Sequence, residues 1–560
     1  MENIIVRDYI ESLNESNELD YIFPLLLESM GFRIITTPKQ SKGQSQYGKD
    51  IVAVRYDDDV LYKYYFELKG FYAKDITDTT LYAKDGFIQS ILAAKYTAYN
   101  DSSIRINNLP VKIIYVHNGV LQENTRPTFD GFIKDTFKDD ESFERWDIYK
   151  LTELFSKHLF SEYILTDEES VKLFKRILVL IDAPEYNLAD FHKLVSKQFV
   201  ATTEFNPRKK REVNKLFASL QLLNVIVMRY CEDNNNLAPA KECVTYTVIE
   251  TWHWILINKL EGKRNIISKF NRLCILLQQI NYKYFAKTLR FAEQYKGLYC
   301  YNGAIGGEEV CYPLRCFDYI NDLIVFYYIS NAYNGTGVLS EQKEQLKSII
   351  DANPGCESPL IDIHSNTIKL IVFFLLQNGS KEDLSYLASY IVKLTSNVIL
   401  RYKNNKTFPE LNNNKRELAR SYHRKREEYA DSSSLLLLFL IELIAYFDIE
   451  ELYSQLRSII LESDVNLQVV YARKNADIEL AIMDGNVDRF VCVETSISIP
   501  ETIEEFRSTF RKRYNDIEYR TDSTNFYFMR ILAHIYYEID FLPDFLNLGY
   551  AEIVEDLSKK

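Results

Sequence analysis

The chain has 560 residues and a formal net charge of −12, with 47% hydrophobic and 26% charged residues. That balance is typical of a soluble globular protein able to bury large cores, and the length points to about three to four domains. The acidic balance excludes a histone-like protein that coats nucleic acid along its whole surface, so any contact with DNA must come from local basic patches.

Read in chain order, the first 165 residues alternate between helical and strand signals. Leu19 to Met30 reads as a helix, closed by Gly31 where a helix C-terminus favours glycine. Phe32–Thr37, Ile51–Tyr56 and Leu61–Lys69 read as strands, Asp85–Tyr99 as a helix and Val111–His117 as a further strand. A helix between two strands implies a crossover and hence a mixed sheet. From about residue 165 the texture changes. Apolar residues recur at three- and four-residue intervals through Val171–Ile181, Val213–Tyr230, Ile280–Tyr295, Leu323–Tyr333, Ile368–Gln377 and Leu435–Phe447. Lys403–Ser434 is polar and reads as a loop or exposed helix. The last hundred residues regain strand character at Leu467–Val470, Ile478–Met483 and Phe490–Val493.

The most informative stretch runs from Gly48 to Gly70. With a two-residue turn at Asp58-Asp59, antiparallel partners have numbers summing to 117, so Asp50 falls opposite Glu67 with Cβ atoms about 5 Å apart. Glu67 and Lys69 are two apart on one strand and share a face. Two carboxylates that close repel unless a cation lies between them. Mg²⁺ takes oxygen ligands and usually only one or two protein carboxylates, and such a metal acidifies water. A lysine beside it can orient that water and neutralise developing charge. The pattern suits phosphodiester hydrolysis.

An Asp, an interval and then Glu-x-Lys on a hairpin resembles the signature of the PD-(D/E)XK nuclease superfamily, and the layout is similar to its Mrr-type restriction endonuclease branch. The resemblance implies Mg²⁺ (or Mn²⁺) bound by Asp50 and Glu67, with Glu28 on the preceding helix as a further acid. It also implies water activation by Lys69, a supporting role for Gln89 on the following helix, and a later strand at Trp146–Leu151. Two departures stand out. Lys49, not Pro, precedes Asp50, and Ala93 stands where some branches carry a tyrosine, with Tyr96 a turn further on.

The expected architecture is an α/β mixed-sheet, restriction-endonuclease-like N-terminal domain (1–165), a helical regulatory or target-sensing region (166–435) and a C-terminal helical region with a β-hairpin (436–560). The expected function is DNA cleavage in restriction or anti-phage defence, gated by the helical region. A homo-oligomer is expected because one site cuts one strand, and a protein partner encoded nearby is a further expectation. The alternatives are a nucleic-acid-binding scaffold or sensor subunit that does not cleave, and an RNA-directed nuclease.

Other features read more plainly. Asp477 and Glu494 repeat the seventeen-residue spacing around Gly485-Asn486, but Ser496 stands where Lys69 would, so the expectation is a strand hairpin with two acids, the alternative being a decayed second nuclease-like core. The basic runs Arg208–Arg211 and Arg420–Arg426 read first as solvated helix faces, with contact to nucleic-acid phosphates as the alternative. Cys300, Cys311 and Cys316 lack a fourth ligand nearby, and the eight cysteines include no CxxC pair, which fits a reducing cytosol. The N-terminus has no basic segment followed by an apolar run, and no apolar stretch is long enough for a bilayer, so a cytoplasmic protein without membrane contact is expected. No phosphate-binding GxxxxGK[ST] loop is present, so no ATPase is expected.

Overall fold

The computed structural model describes residues 2–37, 49–70, 73–84, 86–100, 107–137, 142–158, 168–183, 186–301, 307–409, 411, 418, 432–473, 477–495, 497–510 and 519–539. They fall into two compact units, one of residues 1–247 with 268–276 and the other of 248–267 with 277–560. The change of texture at residue 165 falls outside the described residues, and the helices from 168 to 247 belong to the same unit as the sheet.

The first unit opens with α1 (Glu2–Glu11), a π-helical turn at Glu15–Leu19 and α2 (Asp20–Ser29). There follow β1 (Arg33–Thr36), β2 (Ile51–Asp57), β3 (Val60–Lys69), α3 (Asp78–Tyr82), α4 (Phe87–Tyr96), β4 (Val111–His117), α5 (Arg126–Thr136), β5 (Phe143–Trp146) and α6 (Ile148–His158). The sheet order is β1-β2-β3-β4-β5, with the first three strands antiparallel and β3, β4 and β5 parallel. The mixed sheet is as expected. Strand β5 ends at Trp146, however, and Trp146–Leu151 is not a strand. The Asp147 carboxylate accepts from the backbone N–H groups of Tyr149 and Lys150, both at 3.1 Å. With that cap, Ile148, Leu151 and Phe155 fall on one buried helical stripe.

Side-chain alternation decides what each sheet face meets. Phe66 on one face packs edge-on against Phe23 and Phe32 and beside Trp146. Val52, Tyr65, Ile113 and Tyr115 on the other join Phe87 and Ile91 of α4 and Phe129 of α5 in one core. That second face is also the face of Asp50, Glu67 and Lys69.

Beyond the sheet the first unit continues through α7 (Glu168–Leu180), α8 (Ala189–Phe199) and α9 (Lys210–Asp233). Two helices, α10 (Ala238–Ile257) and α11 (Arg264–Ala292), contribute residues to both units. The second unit contains α12 (Glu308–Asn334), α13 (Leu339–Ala352), α14 (His364–Leu376) and α15 (Lys381–Asn405). It continues with β6 (Ser433–Ser434), α16 (Leu435–Tyr446), α17 (Glu450–Glu462), β7 (Asn466–Leu467), β8 (Val469–Ala472), α18 (Ile478–Asp484), β9 (Val491–Glu494), α19 (Ile503–Phe510) and α20 (Phe528–Tyr536). Among the described residues no helix is long and apolar enough to cross a membrane. At the start of α16 the buried Asp362 carboxylate accepts from Leu435 N (2.9 Å) and Leu436 N (3.0 Å), which satisfies backbone donors that a helix start leaves open.

The hairpin expected around Asp477 and Glu494 is replaced by another arrangement. Ile478, Ala481 and Ile482 are buried at helical spacing, Asp477 caps α18 by accepting from Leu480 N at 3.3 Å, and Gly485 ends it at φ 70°. Glu494 on β9 faces Val469 on β8, so the two acids are not cross-strand partners. Ser496 and the Arg420–Arg426 run lie outside the described residues.

Candidate active site at the end of the β2–β3 hairpin

The hairpin closes through Asp58 and Asp59, both with positive φ (45° and 68°), the conformation that a two-residue hairpin turn demands. Pairing runs from Asp57↔Val60 to Ile51↔Phe66 in the expected register, which brings the chain at Asp50 beside the end of β3. There Asp50 Oδ2 accepts from Leu68 N at 2.7 Å. Glu67 Oε1 receives Lys69 Nζ at 2.9 Å and Ser90 Oγ at 2.7 Å. Lys69 Nζ also lies 3.7 Å from Glu15 Oε1, on the π-helical turn.

All four ionisable groups share one electrostatic balance. Burial raises the Asp50 carboxyl well above its usual range and the Glu67 charge raises it further, against the Leu68 hydrogen bond and Lys69. Burial likewise raises Glu15, with Lys69 opposing. For Lys69, burial acts to lower the pKa, but Glu67, Glu15 and Asp50 outweigh it and the ammonium is held more firmly than usual. Beside them lies Lys49, buried and pulled down to about 8 by desolvation, with Glu67 opposing. Tyr115 stands opposite Glu67 on β4, and His117 opposite Lys69. The His117 ring meets the Lys74 carbonyl at 2.7 Å, and burial lowers its pKa to about 4, so it is neutral at ordinary pH.

The structure therefore brings Asp50, Glu67 and Lys69 together and leaves Glu28 and Gln89 outside that cluster. Glu28 is exposed near the end of α2, and Gln89 is exposed on α4. Ser90, one position on from Gln89, lies on the buried stripe with Phe87, Ile91 and Ala94, and it is Ser90 that reaches Glu67. That stripe was readable from apolar spacing, since neighbouring helix positions differ by about 100°. Glu15 had no such signal. It lies in the polar run Asn14–Glu18, and it reaches Lys69 because β3 ends against its backbone. A Cβ added at Gly70 would stand 2.0 Å from Glu15 N and 2.5 Å from the Asn14 carbonyl carbon, so only glycine permits the approach.

Among the described residues no three His, Cys, Asp or Glu side chains are grouped closely enough to cage a metal ion. The donor set is nonetheless all oxygen, and a buried Asp50 carboxyl whose proton affinity is raised by burial and by the Glu67 charge suits a hard divalent cation that needs only one or two protein carboxylates. No family model, no curated protein and no solved structure matches the chain.

Proposed function

We propose that the first unit is a metal-dependent endonuclease acting on DNA, a PD-(D/E)XK-type enzyme with its catalytic centre at Asp50, Glu67 and Lys69. The observation that carries this reading is the convergence of those three side chains, two of them buried, at the open end of one hairpin. Two parallel strands following an antiparallel hairpin, with a helix crossing between β3 and β4, support the restriction-endonuclease-like fold.

In this reading Asp50 and Glu67 hold Mg²⁺ or Mn²⁺. The ion supplies Lewis acidity toward the phosphodiester and acidifies water. Lys69, held protonated by the carboxylates around it, orients the attacking water and offsets negative charge that builds on the phosphate oxygens. Ser90 and the Leu68 backbone N–H fix the two carboxylates so that they do not reorganise during the reaction. The supporting roles that the resemblance gave to Glu28 and Gln89 pass to Glu15 and Ser90. Cutting both strands of a duplex takes two such sites, hence a pair of chains. A cytoplasmic setting in restriction or anti-phage defence, gated by the helical remainder or a partner protein, completes the proposal.

The test is purified full-length protein incubated with plasmid DNA and with RNA, in Mg²⁺, in Mn²⁺ and in EDTA. Nicked or linear plasmid with either metal and intact plasmid in EDTA is the expected result. Equal cutting in EDTA, or equal cutting by Asp50→Ala, would overturn the assignment. Cleavage of RNA alone would move the substrate and keep the chemistry.

A further inference from the structure

A polar recess lined by none of Asp50, Glu67, Lys69 and Glu15 lies in the first unit. It has a volume of about 180 Å³ and is walled by α1, by α9, by the 268–276 part of α11 and by Lys74. At about 10–15 Å³ per water on the same kind of measure, that is room for a group well beyond one or two waters. Three cations line it: Lys74, Lys269 and Arg272. Two carboxylates answer two of them. Lys74 pairs with Glu11 at 2.7 Å, and Arg272 pairs with Asp8.

Lys269 has no such answer. Among the described residues it makes no ion pair or hydrogen bond, although it is half-buried. Desolvation lowers its pKa, Arg272 lowers it further, Asp8 opposes, and Lys210 at the start of α9 adds to the repulsion. A second observation is independent of charge. Gln221 on α9 lines the recess with only 4% of its surface exposed, and its carboxamide makes no hydrogen bond among the described residues. Asn214, two turns earlier on the same wall, is half-buried and likewise makes no side-chain hydrogen bond among the described residues. A buried amide without a protein partner needs water or a ligand to satisfy it.

We propose that this recess binds the phosphoryl group of a small phosphate ester. A tetrahedral oxyanion offers enough acceptor oxygens for Lys269, Arg272 and the two carboxamides together, and a carboxylate offers only two. The ester is a free small molecule and not a nucleic-acid strand. Asp8 and Glu11 flank the cations, and neighbouring phosphates along a strand would pass within a Debye length (about 8 Å) of those carboxylates. Binding here does not depend on the cleavage reading, and its readout is direct.

The experiment is calorimetric titration of the full-length protein with inorganic phosphate, adenosine 5′-monophosphate, adenosine, and a 5′-phosphorylated oligonucleotide. Saturable binding of phosphate and of the monophosphate, with none of adenosine, is expected. Lys269→Met keeps the apolar stem and should weaken the monophosphate by about tenfold or more. Lys269→Arg should stay within about threefold of wild type, and Gln221→Leu should weaken binding, each with an unchanged melting profile as the check on folding. No binding of either phosphate up to millimolar concentration would overturn the proposal. So would equal affinity for adenosine, equal affinity in a folded Lys269→Met protein, or binding of the oligonucleotide alone.

Discussion

Burial and the neighbouring Glu67 charge hold the Asp50 carboxyl above its usual range, so between the unfolded and folded pKa values the native chain binds more protons than the unfolded one. Stability from this group therefore falls as pH rises through that window, and above it the Asp50 charge is a cost to folding. Asp50→Asn keeps an oxygen for the Leu68 N–H and removes the charge. Its metal-free melting temperature should exceed that of wild type. Mg²⁺ or Mn²⁺ should then raise the wild-type Tm and leave Asp50→Asn nearly unmoved, because only ligand bound to the native state shifts the transition. A wild-type Tm indifferent to both ions would remove the metal from this site. A second residue-scale prediction separates two acids. Glu15→Gln should slow plasmid cleavage by about 10–100-fold, because it releases Lys69 from one of its partners. Glu28→Gln should stay within about twofold, because Glu28 is exposed away from the cluster. Cleavage rates in the opposite order would return the role to α2.

At the scale of elements, the contact that positions the site is the approach of the end of β3 to the π-helical turn. Gly70→Ala would put a methyl group 2.0 Å from the Glu15 backbone nitrogen, so one of the two segments must move. A loss of about 1–3 kcal/mol in urea unfolding is expected, together with slowed cleavage. Unchanged stability would mean that the two segments are free to part. The same turn is held from its other side by α9. Arg211 and Lys215 reach Glu18 at 3.0 and 2.6 Å, and Glu18 also accepts from Asn14 N at 2.8 Å. This is the fate of one member of the Arg208–Arg211 run. Arg211 is a partly buried clamp, while Arg208, Lys209 and Lys210 stay exposed.

At the scale of the whole molecule, that clamp bears on where the nuclease-like part can be cut out. Val213 and Phe217 of α9 and Ile5, Val6, Tyr9 and Ile10 of α1 are buried within the same unit. A fragment of residues 1–165 lacks α9 and should melt at lower temperature than the sheet-containing unit in the full chain, with weaker cleavage. Equal activity and equal stability would show that α9 is dispensable. In the second unit, Asp477 is the cap of α18 and pairs with Arg520, and Glu494 lies on a short strand. Asp477→Ala should cost about 1 kcal/mol through loss of the cap, and neither it nor Glu494→Ala should change the cleavage rate by more than about twofold. Loss of cleavage in a folded Glu494→Ala protein would reveal a second centre.

The alternation of side chains along β2 and β3, with two aspartates at a turn that tolerates positive φ, was enough to set the hairpin register and to bring Asp50 toward Glu67. Those are local facts, carried by neighbours in sequence and by a period of two. Apolar spacing likewise marked α4 and the long helices α9 and α12. Helical spacing was present at Ile478–Met483 too, but in so short a run it reads equally as a strand, and only the Asp477 cap and the Gly485 end decide it. Glu15 and Lys269 could not be found this way. One depends on a glycine contact across 55 positions of chain, the other on three helices meeting around a recess. The sequence alone determined which residues could share a strand face. Which charged groups from distant segments end up facing one another, partnered or not, was decided only when the tertiary structure fixed the space between them.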